Sequence, residues 1–324
     1  MIDPLERFVG QLEKDLALLN PDRLRQRLEA LDKLDASFPE MARPEVHRPE
    51  IRGPEIRSPE IRSPEIHRPE IRGPEMQGAE INSPGRAGLA RRAKFIRDRL
   101  ESQNRELYEA IRDEVRRGAG RLALLRWVDL SREYRDAASG MGFDFRDDLI
   151  CGVLQLEQPE EGQLGREAEM VFYQPTPARH IFNLIGLTAL AAEDVFVDIG
   201  SGLGHVPLLI SICTDARAIG IELEGAYVER ARQCAERLNL DRVALFEQDA
   251  RAADYSGGTV FYLYTPFSGA MLQAVLDRLE HEAASRRIRI CTYGPSTSVI
   301  ADQPWLRATS TPKTDRITVF DSRD

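Results

Sequence analysis

The chain has 324 residues, 42% of them hydrophobic and 30% charged, with a formal net charge of −9. These values are typical of a globular protein with a sizeable core, and the excess of acid argues against nucleic acid as a partner. No apolar run approaches the ~20 residues of a membrane span, and no secretory signal is evident, so we expect a cytoplasmic protein without membrane contact. The scattered cysteines suggest buried thiols rather than disulfides or a metal site: Cys151, Cys213, Cys234 and Cys291.

Residues 1–40 are predicted to form a helical hairpin. Apolar side chains recur at spacings of three and four from Leu5 to Leu19, Asn20-Pro21 interrupts the pattern, and Leu24 to Leu34 resume it. The apolar face of such a hairpin has to pack against something. We expect it to contact either the body of the protein or a second copy of the chain, which would mean self-association.

Residues 41–85 contain a five-residue repeat, P-E-I-R-x, with proline at every fifth position from Pro44 to Pro74. Proline at this interval excludes a continuous helix and removes donors from a sheet. One isoleucine per repeat gives little apolar area to offset the entropy of ordering. We interpret this Pro-rich pentapeptide repeat as an extended linker; the alternatives are a solenoid of short turns and a segment that recruits a partner.

Residues 86–165 are predicted to form a helical region. Apolar side chains lie on one helical face from Leu89 to Val115, and a further helix over Leu122–Tyr134 carries Trp127. The first helix opens with a basic run, which we interpret as a solvated helix face, with a local nucleic-acid patch as the alternative. The run consists of Arg86, Arg91, Arg92, Lys94, Arg97 and Arg99.

Residues 166–324 are organised around the stretch VFVDIGSGLGH. Val195–Val197 predicts a buried strand, Asp198 closes it, and Val206–Ile212 predicts an apolar helix. Between them glycines stand at alternate positions: Gly200, Gly202 and Gly204. Strand, glycine loop and helix in this order are typical of the start of a nucleotide-binding α/β sheet. The acid before the first glycine would repel the pyrophosphate of a dinucleotide, and it suits a ligand that carries an ammonium and a sulfonium.

Further strands follow, and polar residues stand where they end. The predicted strands are Ala216–Glu222, Val243–Phe246, Thr259–Leu263, Arg289–Tyr293, Trp305–Thr309 and Arg316–Asp321. Glu222 ends the second strand, where a carboxylate can accept from both hydroxyls of a ribose. Asp249-Ala250 follow the third strand, and either acid could instead cap the next helix. The last two strands have no helix between them, which predicts an antiparallel hairpin.

With these landmarks the chain resembles the class I S-adenosylmethionine-dependent methyltransferases over about residues 170–324. The pieces FVDIGSGLGH and GIE are most similar to the non-SET-domain histone-lysine methyltransferase branch. The resemblance implies an α/β fold with a Rossmann-like seven-stranded sheet in the order 3-2-1-4-5-7-6, S-adenosyl-L-methionine as the cofactor, and no metal. A nucleotide-dependent dehydrogenase is disfavoured by the glycine spacing and the terminal hairpin.

The resemblance also implies which residues contact the cofactor. They are Asp198, the three glycines, Glu222 at the ribose, and Asp249-Ala250 at the adenine. Tyr173, Gln174 and Thr176 precede the first strand, where many methyltransferases cross the methionine end of the cofactor. The alternative role for Thr176-Pro177 is to start the following helix as a cap.

The methyl acceptor is expected at Tyr264-Thr265-Pro266-Phe267, after the fourth strand. In the resembled amino-methyltransferases a polar side chain and a carbonyl there hold the amine, and the aromatic ring stacks on it. Tyr264 replaces the usual Asp or Asn, which leaves an amine in doubt; the tetrad could also be a strand end closed by Pro266. His205 is either a general base or an ordinary residue at a helix start.

We therefore expect methyl transfer to a nitrogen (or oxygen) of an unidentified acceptor, a protein or a small molecule. The alternative is a non-catalytic protein that binds S-adenosylmethionine or acts as a scaffold through its repeat and helices.

Overall fold

The computed structural model of the protein describes residues 3–41, 84–128, 142–157, 159 and 173–323. The chain divides into two compact units, Met1–Asn104 and Arg105–Asp324. The proline repeat over Pro44–Pro74 lies outside the described residues, as do the end of the helix predicted up to Tyr134 and the residues just before Tyr173. Within the described ranges, no helix combines the length and the apolar character that crossing a membrane requires.

The first unit is helical, as the leucine spacing predicts. Helix α1 spans Pro4–Lys14, α2 spans Leu24–Ser37, and α3 begins at Pro84 and ends at Arg116. Asn20 interrupts the first two as expected, because its side chain accepts from the Asp22 N–H and starts a separate short turn. The apolar faces of α1, α2 and the first part of α3 form one core, whose buried members are Val9, Leu18, Ala30, Leu34, Phe38, Leu89, Ala93, Ile96 and Leu100.

Much of the basic run on α3 is neutralised within the first unit. Arg92 contacts Glu13 at 2.6 Å, and Lys94 lies 3.7 Å from Asp98. Arg97 is buried and bridges to Asp35 and Glu101, at 3.4 Å and 3.0 Å. Pairing of this kind is what a solvated helix face requires, and it supports that interpretation of the run.

The second unit carries the remaining helices. They are α4 (Gly120–Leu125), α5 (Phe145–Leu154), α6 (Ala178–Thr188), α7 (His205–Cys213), α8 (Gly225–Arg237), α9 (Gly269–Ala283) and α10 (Ser296–Ala301). Helix α4 ends before Trp127, which the sequence placed inside a longer helix. Helix α10 was not predicted, because Ser-Thr-Ser after a Gly-Pro pair has the composition of a loop.

Seven strands form one sheet in the predicted order β3-β2-β1-β4-β5-β7-β6. Their bounds are Val195–Ile199 (β1), Arg217–Glu222 (β2), Val243–Glu247 (β3), Val260–Leu263 (β4), Arg289–Thr292 (β5), Leu306–Ala308 (β6) and Thr318–Ser322 (β7). The first five pair in parallel, and β7 is antiparallel to both β5 and β6. The closing hairpin is therefore confirmed.

Strand β1 lies at the centre of the sheet, with β2 on one side and β4 on the other. All five of its residues are buried, including Asp198, because helices cover both faces of a parallel sheet. Helix α7, which follows β1, is buried from Val206 to Cys213, and its largely apolar sequence fits that position. The carboxyl ends of β1, β2 and β4 consequently meet at one edge, where the glycine loop and the predicted acids lie.

The cysteines follow the expectation of buried thiols. Cys213, Cys234 and Cys291 are buried, all four cysteines are free, and Cys151 is exposed.

Candidate cofactor and acceptor site

The glycine loop after β1 adopts a conformation that other residues rarely take. Gly200, Gly202 and Gly204 have φ values of 80°, 53° and 79°. A Cβ added to Gly200 would lie 2.3 Å from the Cβ of Pro266, and one added to Gly202 would lie 2.1 Å from Cε2 of Tyr173. Backbone angle and close contact therefore both require glycine at these two positions. The loop is enclosed between the tetrad after β4 and the segment before α6.

Two carboxylic acids meet beside this loop. Asp198 is buried, and burial together with the negative charge of Glu222 raises the pKa of Asp198 well above its usual range. Glu222 Oε2 accepts from the Gly202 N–H at 2.8 Å, and Oε1 accepts from the N–H groups of Leu223 and Glu224 at 2.8 Å and 2.9 Å. Two neighbouring acids favour a ligand with positive charge, because a cation offsets both burial and repulsion.

Tyr173 lies over the loop and has contacts on three sides. Its ring packs on Gly202 and is tilted against the Tyr227 ring, with 5.1 Å between centroids. Its hydroxyl is 3.1 Å from Nδ1 of His205, the first residue of α7. Burial lowers the pKa of His205 to about 4, so the imidazole is neutral at neutral pH. The sequence offered His205 as a base or a helix start, and it gave no sign of this pairing.

Thr176 belongs to the segment before α6 and is buried where this segment meets β4. Its hydroxyl is 3.0 Å from the Tyr262 hydroxyl, so it does not cap α6. The N-cap residue of α6 is Pro177, which has no side-chain capping bond. On β4, Tyr262 pairs in register with Asp198 of β1. The segment before α6 is thus tied both to the glycine loop and to the strand that carries the tetrad.

The N-terminus of α6 is capped by Asp147 of α5, which lies 31 positions earlier in the sequence. Its Oδ1 accepts from the Ala178 N–H at 2.7 Å, while Oδ2 accepts from the Asp144 N–H at 2.6 Å in a capping box. Burial raises the pKa of Asp147 to about 6. This residue anchors the start of α6, and the capping pattern Asp-x-x-Asp at residues 144–147 was the sequence signal that could have found it.

The stability of the protein is expected to depend on the ionisation of Asp147. The pKa of Asp147 is about 6 in the folded protein, which is above its value in the unfolded chain. The stabilisation that this raised pKa gives to the folded state is therefore complete below pH ~4 and is lost as the pH rises through about 6. Asp147→Asn removes this titration. The free energy of unfolding is measured with urea at pH 4 to 7 for both proteins. The wild-type value minus the variant value should fall as the pH rises, by on the order of 1–3 kcal/mol. A difference that is independent of pH would contradict the assignment.

Asp249 and Ala250 lie at the end of β3. The Asp249 carboxylate accepts from the Arg251 N–H at 2.8 Å and pairs with its guanidinium at 2.7 Å. The hydrogen bonds and charge of Arg251 hold the pKa of Asp249 below its usual value. The Ala250 carbonyl accepts from the Tyr255 hydroxyl at 2.7 Å. Asp249 therefore caps the short turn Ala250–Ala252, the alternative role that the sequence allowed, and its side chain is only partly buried.

The tetrad after β4 lies against the other side of the loop. The Tyr264 ring is tilted against the Tyr293 ring at 4.7 Å, and its hydroxyl oxygen is buried with no hydrogen-bond partner among the described residues. Thr265 has a φ of 42°, an unfavourable angle for a β-branched residue. Pro266 packs on Gly200. Phe267 is buried in the main core of the unit, so its ring packs under the tetrad rather than on an open surface.

The structure thus brings together the loop glycines, the two acids, Tyr173, Thr176 and the tetrad within one edge of the sheet. Asp249 and Ala250 lie at the end of β3, two strands from β1 in the sheet. The residues present fit a ligand with a cationic methionine end and a ribose, because they include a buried acid (Asp198), glycines that allow close approach and a strand-end carboxylate (Glu222). Among the described residues, no cluster of His, Cys, Asp and Glu is arranged to hold a metal ion.

Comparison with known proteins agrees with this geometry. The family model described as "Histone methylation protein DOT1" matches residues 170–262, which contain Tyr173, the whole glycine loop and both strand-end acids. That region and the strand order 3-2-1-4-5-7-6 decide the assignment. The chain is a class I S-adenosylmethionine-dependent methyltransferase. Its cofactor is S-adenosylmethionine.

Several solved structures are similar to this methyltransferase. An RNA methyltransferase from Salinibacter ruber in complex with S-adenosyl-L-homocysteine has 24% identity over 46% of this chain and 92% of its own, with a TM-score of 0.38. A tRNA (uracil-54, C5)-methyltransferase from Pyrococcus abyssi in complex with the same molecule has 18% identity over 46% and 39%, with a TM-score of 0.36. A precorrin 8W decarboxylase from Methanobacterium thermoautotrophicum has 19% identity over 47% and 93%, with a TM-score of 0.35. A search of curated proteins gives no match.

Proposed function

We propose that the methyltransferase modifies a nitrogen or oxygen atom of an acceptor that binds beside Tyr264, at the carboxyl end of β4. The observation that carries the proposal is the Tyr264 hydroxyl oxygen, which is buried and has no hydrogen-bond partner among the described residues. Leaving such a group unpaired costs ~1–3 kcal/mol. A polar group next to the reacting atom of the acceptor would remove this cost, and nitrogen and oxygen nucleophiles carry such groups.

When bound, S-adenosylmethionine would supply the methyl group of its sulfonium: a bond from the acceptor's lone pair to the methyl carbon would form as the carbon–sulfur bond breaks, S-adenosylhomocysteine would leave, and the acceptor proton would pass to water. Burial raises the pKa of Tyr264 well above its ordinary value, so the hydroxyl is protonated at neutral pH. Tyr264 therefore serves as a hydrogen-bond partner that aligns the acceptor, and not as the base. Asp198 and Glu222 would hold the cofactor, and Pro266 fixes the tetrad against the loop.

The matching family favours a nitrogen acceptor, since it is described as a histone methylation family. Its match ends at Tyr262, two positions before the tetrad begins, so it supports the cofactor half of the site more than the acceptor half. Whether the acceptor is a protein or a small molecule follows from neither observation. We therefore keep both classes as arms of one experiment.

Tyr264→Phe is expected to lower methyl transfer about tenfold while the affinity for S-adenosylhomocysteine stays within about twofold. The lost hydrogen bond acts on the acceptor and not on the cofactor, and one such bond accounts for ~0.5–1.5 kcal/mol. The measurement is transfer of a radiolabelled methyl group to cell extract, separated into protein, nucleic-acid and small-molecule fractions. Label in the nucleic-acid fraction would favour a different acceptor class, and unchanged transfer by the variant would remove Tyr264 from the acceptor site.

A further inference from the structure

His205 is a neutral histidine whose ring nitrogen contacts a tyrosine of the proposed cofactor site. It begins α7 directly after Gly204, the last glycine of the loop. Its Nδ1 lies 3.1 Å from the Tyr173 hydroxyl, within hydrogen-bond distance. The other contacts of Tyr173 described above, with Gly202 and Tyr227, are made by the ring and are apolar. The backbone N–H of Leu203, within the glycine loop, also bonds to this hydroxyl, so the hydroxyl end of Tyr173 is held by the loop backbone and, among the described side chains, by His205.

The environment of this pair excludes a simple acid–base role. Burial lowers the pKa of His205 to about 4 and raises that of Tyr173 well above its usual value. Neither group changes its charge between pH 5.5 and 8.5, and a base that works at neutral pH has a pKa near 7. What remains for the pair is geometry: an uncharged hydrogen bond that limits the rotation of one tyrosine ring.

The position of that ring matters because of what lies beneath it. The ring is against Gly202, whose N–H is held on the other side by Glu222 Oε2 at 2.8 Å. The Tyr173 ring and the Glu222 carboxylate thus both support the loop at Gly202. A Tyr173 ring free to rotate would leave the first of these two supports undefined.

We propose that His205 is a positioning residue that holds Tyr173 on the glycine loop and so preorganises the loop for the cofactor. The proposal rests on the proposed placement of Tyr173 at the cofactor site. It gives His205 no contact with the transferred methyl group or with the acceptor. Its effect should therefore appear in the affinity for S-adenosylhomocysteine, and only through Tyr173.

A double-mutant cycle on His205 and Tyr173 tests this inference. We expect His205→Leu and Tyr173→Phe each to weaken S-adenosylhomocysteine binding about three- to tenfold, the range of one neutral hydrogen bond. The double variant should be no weaker than Tyr173→Phe alone, because in that background the bond to His205 is already lost. His205→Asn should restore most of the affinity, since its side-chain amide can occupy the position of Nδ1. The measurement is calorimetric titration at pH 5.5, 7 and 8.5.

The outcomes separate cleanly. Non-additive losses, rescue by Asn and a ratio of wild-type to His205→Leu affinity that is the same at all three pH values support the positioning role. Additive losses, or no loss in either single variant, overturn it. If His205→Leu does not fold, the cycle is run with His205→Asn. This variant should bind S-adenosylhomocysteine like wild type, and it should not weaken binding further when it is combined with Tyr173→Phe. A large loss of affinity in either background overturns the proposal. A wild-type protein that binds no S-adenosylhomocysteine would instead contradict the cofactor assignment itself, and acceptor methylation is tested separately with Tyr264→Phe.

Discussion

Gly202→Val is expected to abolish detectable binding of S-adenosylhomocysteine, a loss of at least about 100-fold. Two effects act together at this position. Gly202 has a φ of 53°, where a β-branched residue is strained by ~1–3 kcal/mol. Its first side-chain atom would also lie 2.1 Å from the Tyr173 ring, so the ring or the loop has to move. Either movement changes the surface that the cofactor contacts.

The matched control for this variant is Gly257→Val. Gly257 lies in a turn before β4, and a Cβ there would meet nothing within 4 Å. Both variants are titrated calorimetrically, and both are followed by thermal unfolding to show that the sheet has formed. Gly257→Val should bind like wild type. If folded Gly202→Val also binds with unaltered affinity, the glycine loop is not the cofactor site.

A second variant separates strain from collision. In Gly202→Ala, the added methyl group meets the Tyr173 ring while the branched-chain strain is smaller. Adding Tyr173→Ala removes the collision but also the ring that we place at the cofactor. Binding that recovers partly in this double variant would show that the collision dominates, whereas no recovery would show that the ring itself is needed.

The positions of the strands could be predicted from the sequence because each landmark has a local cause, whereas their order in the sheet was implied by the resemblance to the class I methyltransferases. Val195–Val197 is a short apolar run before a glycine loop, and Glu222 and Asp249 are acids directly after strands. These signals do not depend on distant parts of the chain. The closing hairpin was equally local, since no helical pattern separates the last two strands. All of these features are confirmed by the sheet.

The contacts within the site could not be predicted, because they join residues far apart in sequence. Tyr173 meets His205 and Thr176 meets Tyr262 across 32 and 86 positions. Asp147 caps a helix that begins 31 positions later. Packing decides such pairs, and no spacing rule carries them. Thr176 is an example: its type and position allow the alternative role of a helix cap, but its hydroxyl bonds with the Tyr262 hydroxyl instead.

Burial of an aromatic ring was another property beyond the sequence. Phe267 has the place of a ring that stacks on an acceptor in the resembled tetrad, but it is 6% exposed and belongs to the core. The partly exposed ring at the end of β4 is that of Tyr264, which lies against the buried ring of Tyr293. A pattern of residue types specifies which chemistry is available, whereas the fold decides which side chain faces the acceptor.

Glu222→Ala is expected to weaken S-adenosylhomocysteine binding far more than Asp249→Ala, by about 100-fold against less than about tenfold. The substitution Glu222→Ala removes two interactions at once. Its carboxylate holds the Gly202 N–H, and Oε2 retains an acceptor site for a ribose hydroxyl, because only one donor contacts that oxygen among the described residues. Charge-assisted hydrogen bonds contribute ~1.5–3 kcal/mol each. Asp249 is already bonded by Arg251, so its removal takes away at most one contact with the adenine amino group.

The 2′-deoxy analogue of the ligand separates the two functions of Glu222. If the carboxylate contacts the ribose, wild type should prefer the natural ligand over the analogue, and Glu222→Ala should lose most of that preference. If Glu222 acts only by holding the Gly202 N–H, the variant should weaken both ligands by the same factor and keep the preference. Asp249→Ala is the matched control, since it removes a strand-end acid without touching the loop and should discriminate like wild type. Equal discrimination by all three proteins would remove the ribose contact from Glu222 and leave it as a support of the loop.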